Sequence, residues 1–135
     1  MIKLVRLDYR LLHGQVVFSW TGHVGAQRII VVDDDAANDE MKKSALLLSK
    51  PAGVRVNIFT VDKAIAKMPK VEQLDEKIMM IFGNTAALLK FCQAYPKIKE
   101  INYGAVANKP GSVAFDQSVF LTPEEQEELR KKEER

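Results

Sequence analysis

The amino-acid sequence predicts an α/β fold: an open, mainly parallel β-sheet flanked by helices on both faces, in a single domain over residues 1–135. Three observations carry this expectation. Short β-rich runs recur along the chain, segments with apolar residues at helical spacing lie between them, and a chain of 135 residues fits one core. Strands and helices alternating on this scale point to parallel strands joined by right-handed crossovers. Helices then cover both faces of the sheet.

The elements follow in chain order. Residues 2–7 alternate apolar and basic side chains and read as the first strand. Val16, Val17, Trp20 and Val24 recur at helical spacing after Gly14 and Gln15. Residues 28–32 form a compact β-branched run closed by Asp33, Asp34 and Asp35. Met41, Ala45 and Leu48 place an apolar stripe on a helix over 38–50. Pro51, Ala52 and Gly53 break the chain before a third strand at 54–59. Thr60 stands where an N-cap belongs, ahead of a helix over 61–67, and Asn84 does the same for 85–94. Between those helices the apolar run 77–82, ending at Gly83, is a fourth strand. Residues 100–103, ending at Gly104, and 118–121 are short further strands. Thr122, Pro123, Glu124 and Glu125 combine a capping-box pattern with proline at the first helical position, which starts a terminal helix.

Composition removes several classes of function. The hydrophobic fraction is 47% and the charged fraction 28%, both ordinary for a soluble globular protein. Against 18 acidic side chains stand 20 basic ones, a net charge of +2, and the basic residues are scattered; nothing here is a footprint for nucleic acid. The single cysteine, Cys92, cannot form an internal disulfide. The N-terminus turns charged too soon for a signal peptide, and no apolar run approaches the roughly 20 residues of a membrane span. The cytoplasm is the expected location. No His/Cys cluster has zinc spacing, and the residues call for no metal and no cofactor.

In parallel α/β sheets ligands gather at the carboxyl ends of the strands. Those loops hold Asp8 to Gly14, Asp33 to Asp35, Thr60, Gly83 with Asn84, and Gly104 onward. The first is the richest in chemistry. A neutral imidazole can attack phosphorus and later lose the phosphoryl group, which makes His13 the candidate nucleophile. Arg10 can make paired hydrogen bonds to phosphate oxygens and spread developing charge. Gly14 lets the backbone approach a bulky anion. The helix opening at Gly14 and Gln15 offers unpaired N–H groups and a partial positive charge. Two uses fit Asp8: holding an imidazole tautomer, or pinning Arg10 by a salt bridge. The plainer reading of His13, a surface or turn histidine, stands beside the catalytic one. The spacing of a Walker A loop is absent.

Arg6-Leu7-Asp8-Tyr9-Arg10-Leu11-Leu12-His13-Gly14-Gln15-Val16, with Trp20 after it, closely resembles the active-site segment of enzyme IIB of the mannose/fructose/sorbose family of the bacterial phosphoenolpyruvate-dependent sugar phosphotransferase system. Members commonly read Arg-Ile-Asp-Asp-Arg-Leu-Ile-His-Gly-Gln-Val there. Val31-Val32-Asp33-Asp34, Ile101-Asn102-Tyr103-Gly104 and Leu121-Thr122-Pro123-Glu124-Glu125 resemble further family segments, so the likeness covers nearly the whole chain. It implies an open α/β domain in which His13 accepts a phosphoryl group, on the δ nitrogen, from a phosphohistidine of enzyme IIA. The group then passes to a sugar imported by the membrane components IIC and IID, with Arg10 as helper and Asp8, Gly14 and Gln15 in support. It implies a cytoplasmic protein peripherally associated with that permease. Two departures stand out. Tyr9 replaces an often acidic residue, and Ala105 stands where a second glycine is frequent. Members usually continue into a further strand and tail, so a chain shortened at its C-terminus is expected.

Other residues carry weaker signals. Cys92 lies in an apolar mid-helix context that favours a buried structural thiol over a nucleophile. His23 reads as a capping or surface residue. Asp33, Asp34 and Asp35 suit a solvated turn and helix start better than a cation site. For Asn102 and Gly104 a turn role and a loop hydrogen bond fit equally. Leu11, Leu12 and Val17 suit either a docking face for the donor or packing beneath the loop. The charged run 124–135 reads as a solvated helix. The competing function is a non-catalytic α/β module binding a phosphorylated metabolite or a regulatory partner. A hydrolase using Asp8 and His13 lacks a serine in a nucleophile-elbow context. N-acetylgalactosamine, mannose, fructose and sorbose are all compatible sugars, and the oligomeric state is open.

Overall fold

The computed structural model describes residues 1–12, 14–98, 101–103, 113–116 and 119–121. Five strands form one parallel sheet: β1 (Ile2–Leu7), β2 (Arg28–Val32), β3 (Arg55–Phe59), β4 (Ile78–Phe82) and β5 (Asn102–Tyr103). Their order is β3-β2-β4-β1-β5. A separate antiparallel pair joins β6 (Val113–Asp116) to β7 (Val119–Leu121). The helices are α1 (Gly14–Val24), α2 (Asp34–Ala37), α3 (Glu40–Leu48), α4 (Val61–Val71) and α5 (Thr85–Ala94). The sheet is therefore open and mainly parallel, as expected from the sequence.

The strand order explains the two helical layers. The steps β1 to β2 and β2 to β3 run one way along the sheet, and β3 to β4 and β4 to β5 run the other. Right-handed crossovers then set α1, α2 and α3 on one face and α4 and α5 on the opposite face. Packing agrees. Ile30, Val32, Met80 and Phe82 join Ala64, Met68, Leu88 and Phe91 in one apolar cluster. Ile29, Val31, Met79 and Ile81 pack with Trp20, Ala36 and Leu46 in the other. Covered on both sides, β2 and β4 read as continuous apolar runs rather than alternating ones. Cys92 is buried in the α4–α5 layer, consistent with a structural thiol.

In β1 the expected alternation of apolar and basic residues does not hold. Its register against β4 shifts between Ile2 and Leu4. Ile2 consequently lies on the same side as Val5 and Leu7, while Leu4 faces the α1 layer. A bulge of one residue reverses which side chains face inward. Lys3 is exposed, but Arg6 is buried.

Two helical expectations are corrected. The helix over 38–50 is present as α3, with Asp39 capping it by accepting from the N–H groups of Met41 and Lys42. Ahead of it stands the short α2, capped by Asp33, which accepts from the Ala36 N–H. The expected apolar stripe of α3 does not face the core. Met41 is 84% exposed and Leu48 89% exposed, while Leu46 packs inward. The helix placed at 61–67 continues to Val71 through Pro69. An interior proline costs about 3 kcal/mol, but burying Met68 and Val71 on either side of it returns about 1.5–3 kcal/mol each. The remaining elements lie within two residues of their expected bounds, and α2 and β6 are additions to them. The turn at Gly104 and the terminal helix from Thr122 lie outside the described residues.

Candidate active site

The chain leaving β1 enters α1 on one face of the sheet, and the chain leaving β4 enters α5 on the other. In parallel sheets a ligand crevice is expected between the carboxyl ends of neighbouring strands whose chains leave on opposite faces, as β1 and β4 do. The strand ends are tied side by side: the Asp8 N–H bonds the Phe82 carbonyl at 2.9 Å, and the Gly83 N–H bonds the Val32 carbonyl at 3.3 Å. The loop from Asp8 towards α1 therefore passes Gly83, beside which Leu11 and the Asp33 carboxylate both lie.

Asp8 organises that loop. It is 0% exposed. Its Oδ1 accepts from the Arg10 backbone N–H at 3.0 Å and from Arg10 Nε at 3.1 Å. Its Oδ2 accepts from Arg10 Nη2 at 3.1 Å and Arg6 Nη2 at 3.2 Å. The Nε–Nη2 edge of Arg10 thus meets the carboxylate in a bidentate pair, the geometry that fixes a guanidinium in plane. Of the two roles open to Asp8, the salt bridge to Arg10 is present. Burial acts most strongly on Asp8 and would raise its pKa. Hydrogen bonds from the Arg10 side chain and backbone, with the charges of Arg10 and Arg6, outweigh that and hold it below its ordinary value. The hydrogen bond to Asp8 in turn holds the Arg10 guanidinium above its ordinary value. The Arg10 side chain remains 38% exposed, with Nη1 making no hydrogen bond among the described residues.

A turn follows, in which the Leu11 N–H bonds the Asp8 carbonyl at 3.0 Å and Leu11 takes φ of 58°. A left-handed non-glycine residue costs about 1–2 kcal/mol. Leu11 and Leu12 are buried in the α1-side cluster, and burial of a leucine returns about 1.5–3 kcal/mol. Burial outweighs the strain, so these leucines pack beneath the loop rather than forming a docking face. His13 and the side chains of Gln15 and Val17 lie outside the described residues. Gly14 and Gln15 open α1, whose first turn carries no acidic residue.

The carboxyl ends of β2, β3 and β4 are occupied by structural bonds. Thr60 caps α4 through the Lys63 N–H, Asn84 caps α5 through the Ala87 N–H, and Asp34 accepts from the Val61 N–H at 2.9 Å. Asp33 to Asp35 thus form a helix start, and no group of three or more ligating side chains is placed to hold a metal among the described residues. His23 lies exposed in the last turn of α1, edge-on to Trp20.

Sequence reasoning missed the parts played by two residues: Arg6, read only within the motif, and Gly83, read only as a strand-end position. Arg6 bridges Asp8 and the Asn102 side chain of β5 and lies over the Trp20 ring. Its spacing of two from Asp8 was the available signal, since alternate strand positions share a face. Gly83 is the second. A Cβ there would lie 2.0 Å from Asp33 Oδ2 and 3.3 Å from Leu11 Cδ2, so any larger residue would displace the Asp33 carboxylate.

Comparison with known proteins agrees with this geometry. Residues 2–135 match the family model described as the sorbose-subfamily IIB component of the PTS system. The sorbose-specific EIIB component of Klebsiella pneumoniae is 34% identical over 129 residues, which cover 96% of this chain and 79% of that protein. The mannose-specific EIIAB component of Escherichia coli strain K12 is 31% identical over 97% of this chain, which spans 41% of that longer protein. The solved IIBSor domain of the sorbose permease from Klebsiella pneumoniae matches with a TM-score of 0.88 at 34% identity, covering 97% of this chain and 80% of that one. The N-acetylgalactosamine-specific IIB component 1 from Escherichia coli matches with a TM-score of 0.89 at 28% identity, covering 96% and 85%. With a family match over nearly the whole length, and the motif loop at the sheet position where such folds place their sites, the chain belongs to the sorbose-subfamily IIB components of the phosphotransferase system.

Proposed function

We propose that His13 is the phosphorylated residue and that the chain is a phosphohistidine carrier between enzyme IIA and an imported sugar. A IIB component accepts a phosphoryl group from IIA and transfers it to the sugar. In the first transfer a neutral imidazole nitrogen of His13 attacks phosphorus as the N–P bond to the donor histidine breaks. In the second a sugar hydroxyl forms the P–O bond as the His13 N–P bond breaks, and the proton the hydroxyl gives up balances the imidazole nitrogen that is freed, restoring neutral imidazole. Such chemistry is mostly positioning and charge stabilisation. The observation that carries the reading is Arg10: a guanidinium fixed by a buried carboxylate, partly exposed at a strand end, three residues before His13. Arg10 neutralises charge on the transferring phosphoryl group while Asp8 holds it in place. Gly14 and Gln15 present the start of α1, where no acidic side chain offsets the positive end of the helix dipole.

The partners in this reading are IIA as donor and the membrane components IIC and IID, on the cytoplasmic side. No helix among the described residues is long and apolar enough to cross a membrane. Relatives at roughly a third identity are named for sorbose, mannose, N-acetylgalactosamine and fructose. Sugar choice then rests with the membrane components rather than with this chain.

The test is incubation with phosphoenolpyruvate, the general phosphotransferase proteins and a matching IIA. Intact mass is expected to rise by a single phosphoryl group, acid-labile and base-stable, in the wild type and not in His13→Ala. Labelling of His13→Ala at the wild-type level would remove His13 from the mechanism.

A further inference from the structure

A buried arginine beneath a surface loop needs a reason. Arg6 is 8% exposed and sits on the α1 side of β1, next to an apolar cluster where leucine or methionine would pack without desolvating a charge. Three elements hold it. Its own strand β1 pairs with β5 so that Arg6 stands directly opposite Asn102, and Nη1 donates to Asn102 Oδ1. Trp20 of α1 has its ring centroid 5.7 Å from the guanidinium carbon. The remaining arm, Nη2, donates to Asp8 Oδ2, the same oxygen that accepts Arg10 Nη2. The polar contacts thus run in sequence from the sheet outward: Asn102, Arg6, Asp8, Arg10.

We propose that Arg6, braced by Asn102 and Trp20, is a positioning residue for phosphoryl transfer: it sets the plane of the Asp8 carboxylate and, through it, the orientation of the Arg10 guanidinium. The proposal rests on the reading that Arg10 meets the phosphoryl group. A carboxylate held by the side chain and backbone N–H of Arg10 can still move with the loop that carries them. A second guanidinium anchored to β5 removes that freedom and ties the loop to the rigid sheet. Lysine keeps the charge but offers one point of contact in place of a planar fork, so it cannot bridge Asn102 and Asp8 in the same geometry. Small misplacements of a transition-state group cost large factors in rate.

The test is the single-turnover rate of phosphoryl uptake from phosphorylated IIA, measured at saturating IIA and across IIA concentrations, with circular dichroism and melting temperature as folding controls. Arg6→Lys is expected to lower the saturating rate by about 10–100-fold, with half-saturation changed less than about threefold. Asn102→Ala, the milder change, is expected to lower it by about tenfold, and it decides the question if Arg6→Lys does not fold. In an Arg10→Ala background neither substitution is expected to slow transfer further, because the group they position is gone. A folded Arg6→Lys or Asn102→Ala that transfers at the wild-type rate overturns the proposal, as does an undiminished loss in the Arg10→Ala background. If wild type takes up no phosphoryl group, or Arg10→Ala transfers at full rate, the reading of the site fails and takes this inference with it.

Discussion

Gly83 is a residue whose role follows from steric argument alone. Its missing side chain leaves room for the Asp33 carboxylate, one oxygen of which caps α2 through the Ala36 N–H. In Gly83→Ala the new methyl group would stand 2.0 Å from the other oxygen, Oδ2. The carboxylate must turn away, which strains or breaks the cap that its other oxygen makes to Ala36. Losing a cap costs about 1 kcal/mol and crowding a packed site adds about 1–3 kcal/mol. Gly83→Ala is therefore expected to lower stability by about 2–4 kcal/mol, read as a lower urea midpoint at unchanged slope. Since the Cβ would also press on Leu11, slower phosphoryl uptake should accompany the loss.

Among the secondary-structure elements, α3 separates pattern from packing. Its spacing of Met41, Ala45 and Leu48 satisfies a helical periodicity, yet the helix buries none of its residues fully. Leu46 is the side chain that reaches the sheet. Met41→Gln and Leu48→Gln should each change stability by less than about 0.5 kcal/mol, the usual range for surface substitutions. Leu46→Ala should cost at least about 1 kcal/mol, since a packed apolar side chain is lost. Denaturant titration of the three variants checks the ranking, and a large loss in Met41→Gln would mean that α3 packs on the face that its periodicity suggests. The same comparison explains why α4 runs past Pro69: buried Met68 and Val71 govern where it ends more than local propensity does.

Across the molecule, the buried ion pairs make folding sensitive to acid. The Asp8 carboxyl lies below its ordinary pKa in the folded protein, while in the unfolded chain it titrates near about 3.9. A depressed folded-state pKa contributes stability that is fully present above the unfolded value and is lost as pH falls through the folded one. Stability should therefore drop as pH falls below about 4. Asp8→Asn removes this contribution at neutral pH and leaves Arg6 buried without its carboxylate, a change expected to cost about 3 kcal/mol or more. Its unfolding midpoint should also depend less steeply on pH in that range. Parallel slopes for the two proteins would mean that other carboxylates control acid unfolding.

The strands and helices, several caps and the loop that follows the first strand are legible in the residues alone, because those features are local. Periodicity shows in neighbouring residues, and Thr60 and Asn84 each cap a helix that starts at the next position. The Asp8, Tyr9, Arg10 order also puts the right residue types in one loop. How they meet depends on the packed fold. It sets β4 beside β1, so that Gly83 faces the loop, and β5 on the other side, so that Asn102 reaches Arg6. It buries Arg6 on the α1 side, because helices cover both faces of the sheet and a basic residue at that position of β1 has no solvated side to take. It also leaves one apolar stripe in solvent while burying Leu11 in a strained conformation. Periodicity tells which side of an element is apolar, whereas burial depends on what the rest of the chain places against that side. Asp8 can be read as a partner for Arg10 from the sequence, but that both are anchored to the sheet through Arg6 depends on strands nearly a hundred residues apart.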